Sequence, residues 1–415
     1  MVPNSETAGS NAILSAPPRQ CEAQAGQIGA LRHIETLSRA KIERCPAWQR
    51  AFAAERKDHR YYEIVEDTIR QGFDYRYFAL KGEDGEIHAI QPFFINDQDL
   101  LAGTGPRAQK LAGFIRRVWP RFLRMRTMMI GCAAGEGHLD AQDEASRFAL
   151  ADSLARALPG EARRLKTKLI VFKEFPATDR PALSYLLDRG FTRIPSMPMT
   201  RLRLDFGSFE DYLRNVLSAK MRAQLRRKYR KSERLASLEM RVTTDVTPYL
   251  DEIYALYLGV YERSNLHFEK LTPEYFAEIG KNMADKAIFF LWFKDERIVA
   301  FSMCMICNNS ICSEYIGFDY TLAFDLHLYY IVARDVMKWA ISNGYLWYYS
   351  TALNYDPKYH LRHELYPLDL YIKHTSIVIN LILKRVLGFL EPTRYDKLLQ
   401  KFPNYDELSA PSSRI

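Results

Sequence analysis

The 415-residue chain contains no apolar run near the roughly 18 residues a membrane-crossing helix requires. Its opening, MVPNSETAGSNAILSAPPRQ, lacks a basic segment followed by an apolar one, so no secretory signal is expected. Cysteine is scarce: six residues exclude a disulfide framework and point to a reducing compartment. The spacing Cys304-Met305-Ile306-Cys307 invites a redox role, but residues three apart on a strand face opposite sides, so structural thiols are expected. His360 and His363 have no cysteine or carboxylate at ligand spacing, and no metal is expected. These absences predict a soluble, cytoplasmic protein.

Apolar residues make up 47% and aromatics 13% of the chain, material enough for two hydrophobic cores at a length that suggests two domains. Charge is distributed unevenly. Between Lys220 and Arg234 stand eight cations (Lys220, Arg222, Arg226, Arg227, Lys228, Arg230, Lys231, Arg234) and one anion, Glu233. Eight minus one is +7 of a formal +8, so one predicted helix carries nearly all the excess. Ser208 and Asp211 form a capping-box pattern, and Leu213, Leu217, Met221, Leu225 and Tyr229 recur every four residues as a buried stripe over Ser208–Leu235. Such a field suits a large anionic partner; a solvated face of a structural helix accounts for the pattern equally well. Arg226, Arg227, Lys228 and Arg230 are the anion-binding candidates.

Residues 1–28 read as a disordered tail, rich in Ala, Ser, Pro and Gln. Helical patterns run through Leu31–Ala54 and Tyr61–Arg70, followed by a hairpin, Tyr75–Leu80 and Glu86–Ile95. Residues 141–158 predict a helix, Leu169–Phe175 a buried strand, Arg180–Arg189 a helix, and Met199–Leu204 a last strand for this half. The second half repeats the plan: a hairpin over Ile288–Lys294 and Arg297–Ile306, strand Ser310–Asp319, helix Leu326–Asn343 and strand Tyr345–Ser350. FALKGEDGEIHAIQP (Phe78–Pro92) and FLWFKDERIVAFSMC (Phe290–Cys304) read as one element written twice. Two similar α/β units are expected, at 29–205 and 206–375, with an amphipathic helix and tail at 376–415.

A hairpin, third strand, crossover helix and splayed fourth strand resemble the GNAT (N-acetyltransferase) fold. YLLDRGFTRIPSMPMTRLRL (Tyr185–Leu204) is similar to the end of many such domains. Gly317–Leu368, with Phe318-Asp319, Asn343-Gly344, Leu346–Tyr349 and Tyr355-Asp356-Pro357-Lys358, resembles the tandem-GNAT, Fem-like group of peptidoglycan-bridge transferases. The resemblance covers roughly residues 60–375. It implies two mixed, largely antiparallel sheets flanked by helices, a degenerate first domain and a catalytic second one. It also implies an acyl thioester donor, acyl-CoA or acyl carrier protein, and an amine acceptor. One departure stands out. The glycine-rich loop that binds the CoA pyrophosphate in this family is replaced by Asp319-Tyr320-Thr321-Leu322-Ala323-Phe324-Asp325, where Asp325 suits a helix cap but would repel a pyrophosphate. A carrier protein, an aminoacyl-tRNA or a differently held CoA ester would each tolerate that change.

Acyl transfer to an amine needs a proton acceptor and donors for an oxyanion. Glu314, in the small and apolar strand Ser310–Gly317, is the candidate base, with Tyr315 as acid; a structural salt bridge explains Glu314 as readily. His360 and His363, just past the splayed strand, are alternative bases, with surface or core packing as the ordinary explanation. A His-x-x-x-x-Asp match to glycerolipid acyltransferases occurs once, from His138 to Asp143, and is expected to be coincidence. The resemblance carries Asn354, Tyr355 and Lys358 over as channel-lining residues; Asp319, His327, Tyr329 and Arg362 complete the donor- and acceptor-binding set. Ser376–Glu391 is apolar apart from a narrow stripe of Asn380, Lys384 and Glu391, fit for a membrane interface or for packing on protein. The expectation is an N-acyltransferase acting on a primary amine, such as a long-chain lipid amine or sphingoid base, with peripheral membrane contact. A tRNA-dependent Fem-like transferase and a non-catalytic lipid- or nucleic-acid-binding module are the alternatives; GNAT-type bacterial ceramide synthases are a conceivable relative.

Overall fold

A hairpin, a third antiparallel strand, a helix and a parallel fourth strand occur twice along the chain, once in each of two seven-stranded sheets. The computed structural model describes residues 33–99, 124–264 and 268–410, with a few positions between 110 and 117; the predicted tail at 1–28 lies outside them. In the first half come β1 (His33–Leu37), helix α1 (His59–Thr68), β2 (Asp74–Lys81), β3 (Ile87–Asp99), β4 (Arg124–Ile130), helix α2 (Glu144–Arg164), β5 (Leu169–Pro176), helix α3 (Arg180–Asp188), β6 (Thr192–Pro195) and β7 (Met199–Arg203). The second half holds α4 (Phe209–Val216), α5 (Ala219–Leu235), β8 (Glu239–Thr243), α6 (Leu250–Tyr261), α7 (Pro273–Asn282), β9 (Ala287–Lys294), β10 (Arg297–Cys307) and β11 (Ser310–Phe318). It continues with α8 (Leu328–Ser342), β12 (Trp347–Ser350), α9 (Tyr355–His360), β13 (Glu364–Tyr366), β14 (Leu368–His374) and α10 (Ile377–Leu390).

The sheets run β1-β2-β3-β4-β5-β14-β6 and β8-β9-β10-β11-β12-β7-β13, the same order with one strand of each exchanged. Strand β7, expected to finish the first unit, pairs instead with β12 and β13, and β14 from the second half pairs with β5 and β6. Proline explains the exit points. Pro195 and Pro198 flank the step from β6 to β7 and Pro367 stands between β13 and β14; without an N–H, proline ends a ladder and sends the chain onward. Among the described residues, β4–β5 and β11–β12 are the parallel pairs, each joined by its crossover helix.

The duplicated hairpins are β2–β3 and β9–β10, in equivalent places. Asp295 and Glu296 both adopt positive φ (49° and 61°), the tight turn whose twist matches a two-residue hairpin. Two helix expectations change. Residues 33–54 hold β1, paired antiparallel with β2, and two short helices rather than one long one; Pro46 suits the first turn of the second helix, where its missing N–H is not needed. Ser208–Leu235 is two helices: Ser208 caps α4 by accepting from the Asp211 N–H at 3.1 Å, and Ser218 caps α5 anew. The apolar stripe survives the break, with Leu213, Leu217, Leu225 and Tyr229 all buried.

Candidate functional site

Strand β11 is where the second sheet opens. It pairs in parallel with β12 from Ser310↔Trp347 to Ser313↔Ser350, and no β12 residue stands opposite Glu314 or beyond. On the other flank β11 stays paired with β10 as far as Phe318. Pairing therefore ends at Ser313–Ser350, where β12 itself stops and β11 runs on, leaving a fork at the end of the pair. Thr351 spans the fork: its N–H donates to the Ser313 carbonyl and its hydroxyl to the Glu314 carbonyl at 3.2 Å.

Glu314 is buried, and both its oxygens are taken. Arg56 Nε donates to Oε1 at 2.8 Å and Lys57 Nζ lies 3.0 Å from Oε2. The same two cations hold Glu136: Arg56 by one guanidinium nitrogen, Lys57 at 2.7 Å. Two positive and two negative side chains from both halves thus close a buried, neutral square across the seam. Burial opposes these charges, yet their mutual field wins, holding the Glu136 carboxyl well below its usual range and Arg56 and Lys57 above theirs. The expectation of Glu314 as a free base is corrected accordingly: a carboxylate accepting from two cations joins the halves.

A partner of this square is absent from the candidates that the sequence offers. Gly131-Cys132-Ala133-Ala134-Gly135-Glu136-Gly137 occupies, between β4 and α2 in the first half, the place where the second half has Asp319–Asp325. Three glycines in seven residues were the available signal. Gly135 has φ +99°, and a Cβ there would lie 2.1 Å from Lys57 Nζ, so glycine lets the loop close on the ion square. Nearby, the Tyr61 and Tyr275 hydroxyls bond at 2.8 Å across the seam. Tyr315 donates to Glu269 at 3.2 Å, and burial raises its pKa well above the ordinary tyrosine value.

Lys358 lies at the foot of the fork. It is almost fully buried, and its Nζ donates to the carbonyls of Thr351 and, at 2.8 Å, Leu353. Desolvation pulls its pKa down to about 7. Leu353 and Asn354 both have positive φ (74° and 49°), and for leucine this left-handed conformation is disfavoured. That strain turns the Leu353 carbonyl toward the amine. Tyr355, also buried, anchors the turn by donating to the Pro198 carbonyl at 2.8 Å, while Asn354 is exposed.

The histidines separate. His363 is buried, its Nδ1 3.1 Å from the Thr200 hydroxyl and its ring edge-on to Tyr348; burial, aided by Lys358, lowers its pKa to about 3. It is a neutral core histidine. His360 Nδ1 lies 2.8 Å from the Asp356 carbonyl and 3.5 Å from the Asp356 carboxylate, with its ring edge-on to Tyr359, and Arg362 is exposed. His138 lies 3.4 Å from Glu136, whereas Asp143 caps α2, so the two ends of the His-x-x-x-x-Asp match have different partners. Among the described residues no group of three His, Cys, Asp or Glu is placed to hold a metal.

The cationic helix α5 flanks the loop entering α8. Lys228 Nζ stands 3.4 Å over the Tyr330 ring, and Lys231 lies 3.7 Å from Asp325. Asp325 therefore does not cap α8; His327, with φ 50°, occupies that position, its pKa lowered by burial and by Lys228 and Lys231. Asp319 fastens the loop, accepting from the Thr321 N–H at 2.9 Å and pairing with Arg297. Tyr329 packs near Phe318. Arg226, Arg227 and Arg230 are exposed, with Arg226 paired to Glu210 at 2.9 Å; together with Arg334 and Lys338 of α8, Arg226 and Arg230 line an open groove.

Residues 219–358 match the family described as an acetyltransferase (GNAT) domain. No curated protein matches the chain. Solved structures are similar at low identity. FemX is 12% identical over 87% of this chain and 100% of its own, with a TM-score of 0.47. The C-terminal domain of a putative lysylphosphatidylglycerol synthetase from Agrobacterium fabrum is 14% identical over 76% and 88%, with a TM-score of 0.45. A tandem GNAT protein from the clavulanic acid biosynthesis pathway is 12% identical over 86% and 96%, with a TM-score of 0.43.

Proposed function

We propose, from the premise that this chain carries a GNAT acetyltransferase domain at residues 219–358 and is an N-acyltransferase, that it joins an acyl group from a thioester to a primary amine at the β11–β12 fork. The single observation carrying this reading is the buried Lys358 amine held by the Thr351 and Leu353 carbonyls at the end of the β11–β12 pair, where desolvation pulls its pKa down to about 7. A neutral amine has two N–H groups for the Thr351 and Leu353 carbonyls and keeps a lone pair free. That lone pair takes the proton from the acceptor ammonium. The freed amine attacks the thioester carbon, the C–N bond forms, the attacking nitrogen gives up its second proton to the leaving thiolate as the C–S bond breaks, and Lys358 returns the first proton to solvent. Backbone N–H groups of β11 past Ser313 are the candidate oxyanion donors. Glu314 acts as a positioning residue, fixing β11 against the first half.

The donor is an acyl-CoA or acyl carrier protein, and the acceptor a long-chain amine such as a sphingoid base. Lys228 and Lys231, beside the start of α8, attract the donor's phosphates in this reading, which their positions near Tyr330 and Asp325 support. A second reading, an aminoacyl-tRNA donor, is favoured by the exposed Arg226, Arg227 and Arg230 on one helix; it predicts binding that weakens steeply with salt. The deciding measurement is a pH–rate profile on a panel of amines and thioesters. Turnover should rise as Lys358 loses its proton near pH 7, and Lys358→Met should lower kcat about 100-fold or more and abolish that limb. An unchanged profile in Lys358→Met removes the lysine from the mechanism.

A further inference from the structure

Helix α10 is amphipathic the wrong way round for a helix that merely packs on its own protein. Asn380, the polar residue of its first turns, faces inward, accepting from the His374 N–H at 2.8 Å and donating to the Gly190 carbonyl at 2.8 Å. Leu383 and Leu387 complete the buried side. What faces outward is aliphatic: Ile377 is 80% exposed and Val378 68%, with Leu381, Ile382 and Val386 beside them. A monomer surface rarely carries so continuous an apolar face without an occupant.

The surrounding charge is mostly positive, with Glu391 at the C-terminal end of the helix and Asp188 beside Arg189 as exceptions. Lys384 and Arg385 are exposed on the helix itself, which contains no acidic residue. Where its first turns meet the sheet, Lys373 donates to the Arg189 carbonyl and feels the charges of Arg189 and Arg163, and Lys168 acts on His374. No helix among the described residues is long and apolar enough to cross a membrane. We propose that α10 is a docking helix that lies in the plane of an anionic lipid surface, its aliphatic face in the acyl boundary and its basic residues among the phosphates. A second copy of this chain is the poorer occupant, because a two-fold contact through this face would crowd Lys384, Arg385 and their neighbours together. An anionic bilayer welcomes the same cations. The proposal goes beyond the acyl-transfer reading and does not depend on it: α10 contributes no residue to the fork.

The test is co-sedimentation of the full chain with phosphatidylcholine vesicles, with and without phosphatidylglycerol. Binding is expected with phosphatidylglycerol, and weaker in raised salt. Because Leu381 and Ile382 are exposed, Leu381→Glu with Ile382→Glu should fold normally and lose binding at least tenfold. Lys373→Glu should weaken it by about fivefold or more, the share of one basic residue at such a surface. Retained vesicle binding in the Leu381/Ile382 variant overturns the proposal. So does a wild-type chain that ignores phosphatidylglycerol vesicles, or one that sediments as a dimer which those two substitutions dissociate. Turnover of a soluble amine should be unchanged in both variants, which separates this outcome from failure of the acyl-transfer mechanism.

Discussion

Replacing Glu314 by glutamine separates a joining role from a catalytic one. In the native protein Arg56 and Lys57 share two carboxylates, Glu136 and Glu314, so the buried square is neutral. Glutamine keeps the shape and removes one negative charge, leaving two buried cations on a single carboxylate. Breaking such a pair costs about 3–5 kcal/mol, since the surviving charge stays out of water. A second change, Lys57→Met, restores neutrality, and the double variant should recover more than half of the loss. Urea titration followed by tryptophan fluorescence reads both; midpoints should be compared, because a two-unit chain need not unfold in one step. Turnover of Glu314→Gln should fall only as far as its folded fraction falls. Wild-type stability in Glu314→Gln combined with a 1,000-fold drop in kcat would refute the argument and return the carboxylate to the role of base.

Two further outcomes follow from the same geometry. Below its unfolded value of 6.5, His363 takes up a proton in the unfolded chain that the folded chain refuses down to about 3, so stability falls with falling pH across that window. The contribution is about 1.4 kcal/mol per pH unit, and His363→Gln, which can still pair with Thr200, should flatten the acid limb of a urea-midpoint profile. Arg226→Glu together with Arg227→Glu, on the exposed side of α5, should raise the donor KM roughly tenfold at low salt and leave kcat nearly unchanged. An unaltered KM would make that face an ordinary solvated surface.

The chain's pattern alone determined its local elements. Alternating apolar residues with a two-residue Asp295-Glu296 turn specify a hairpin, Ser208 with Asp211 specifies a helix start, and the repeated order of such elements specifies two like units, because these signals act over a few neighbouring residues. Only the tertiary structure decided which strand joins which sheet, since β7 and β14 carry patterns that fit either one and the exchange depends on where each half meets the other. It decided the chemistry of single side chains in the same way. Glu314, Lys358 and His363 are ordinary letters in a sequence; residues distant along the chain, Arg56, Lys57 and Thr200 among them, make the first a strut and the third a core residue. Lys358 becomes an amine poised near neutrality because folding removes its water and leaves it two carbonyls. Burial and long-range pairing set those properties, and neither is written in local spacing.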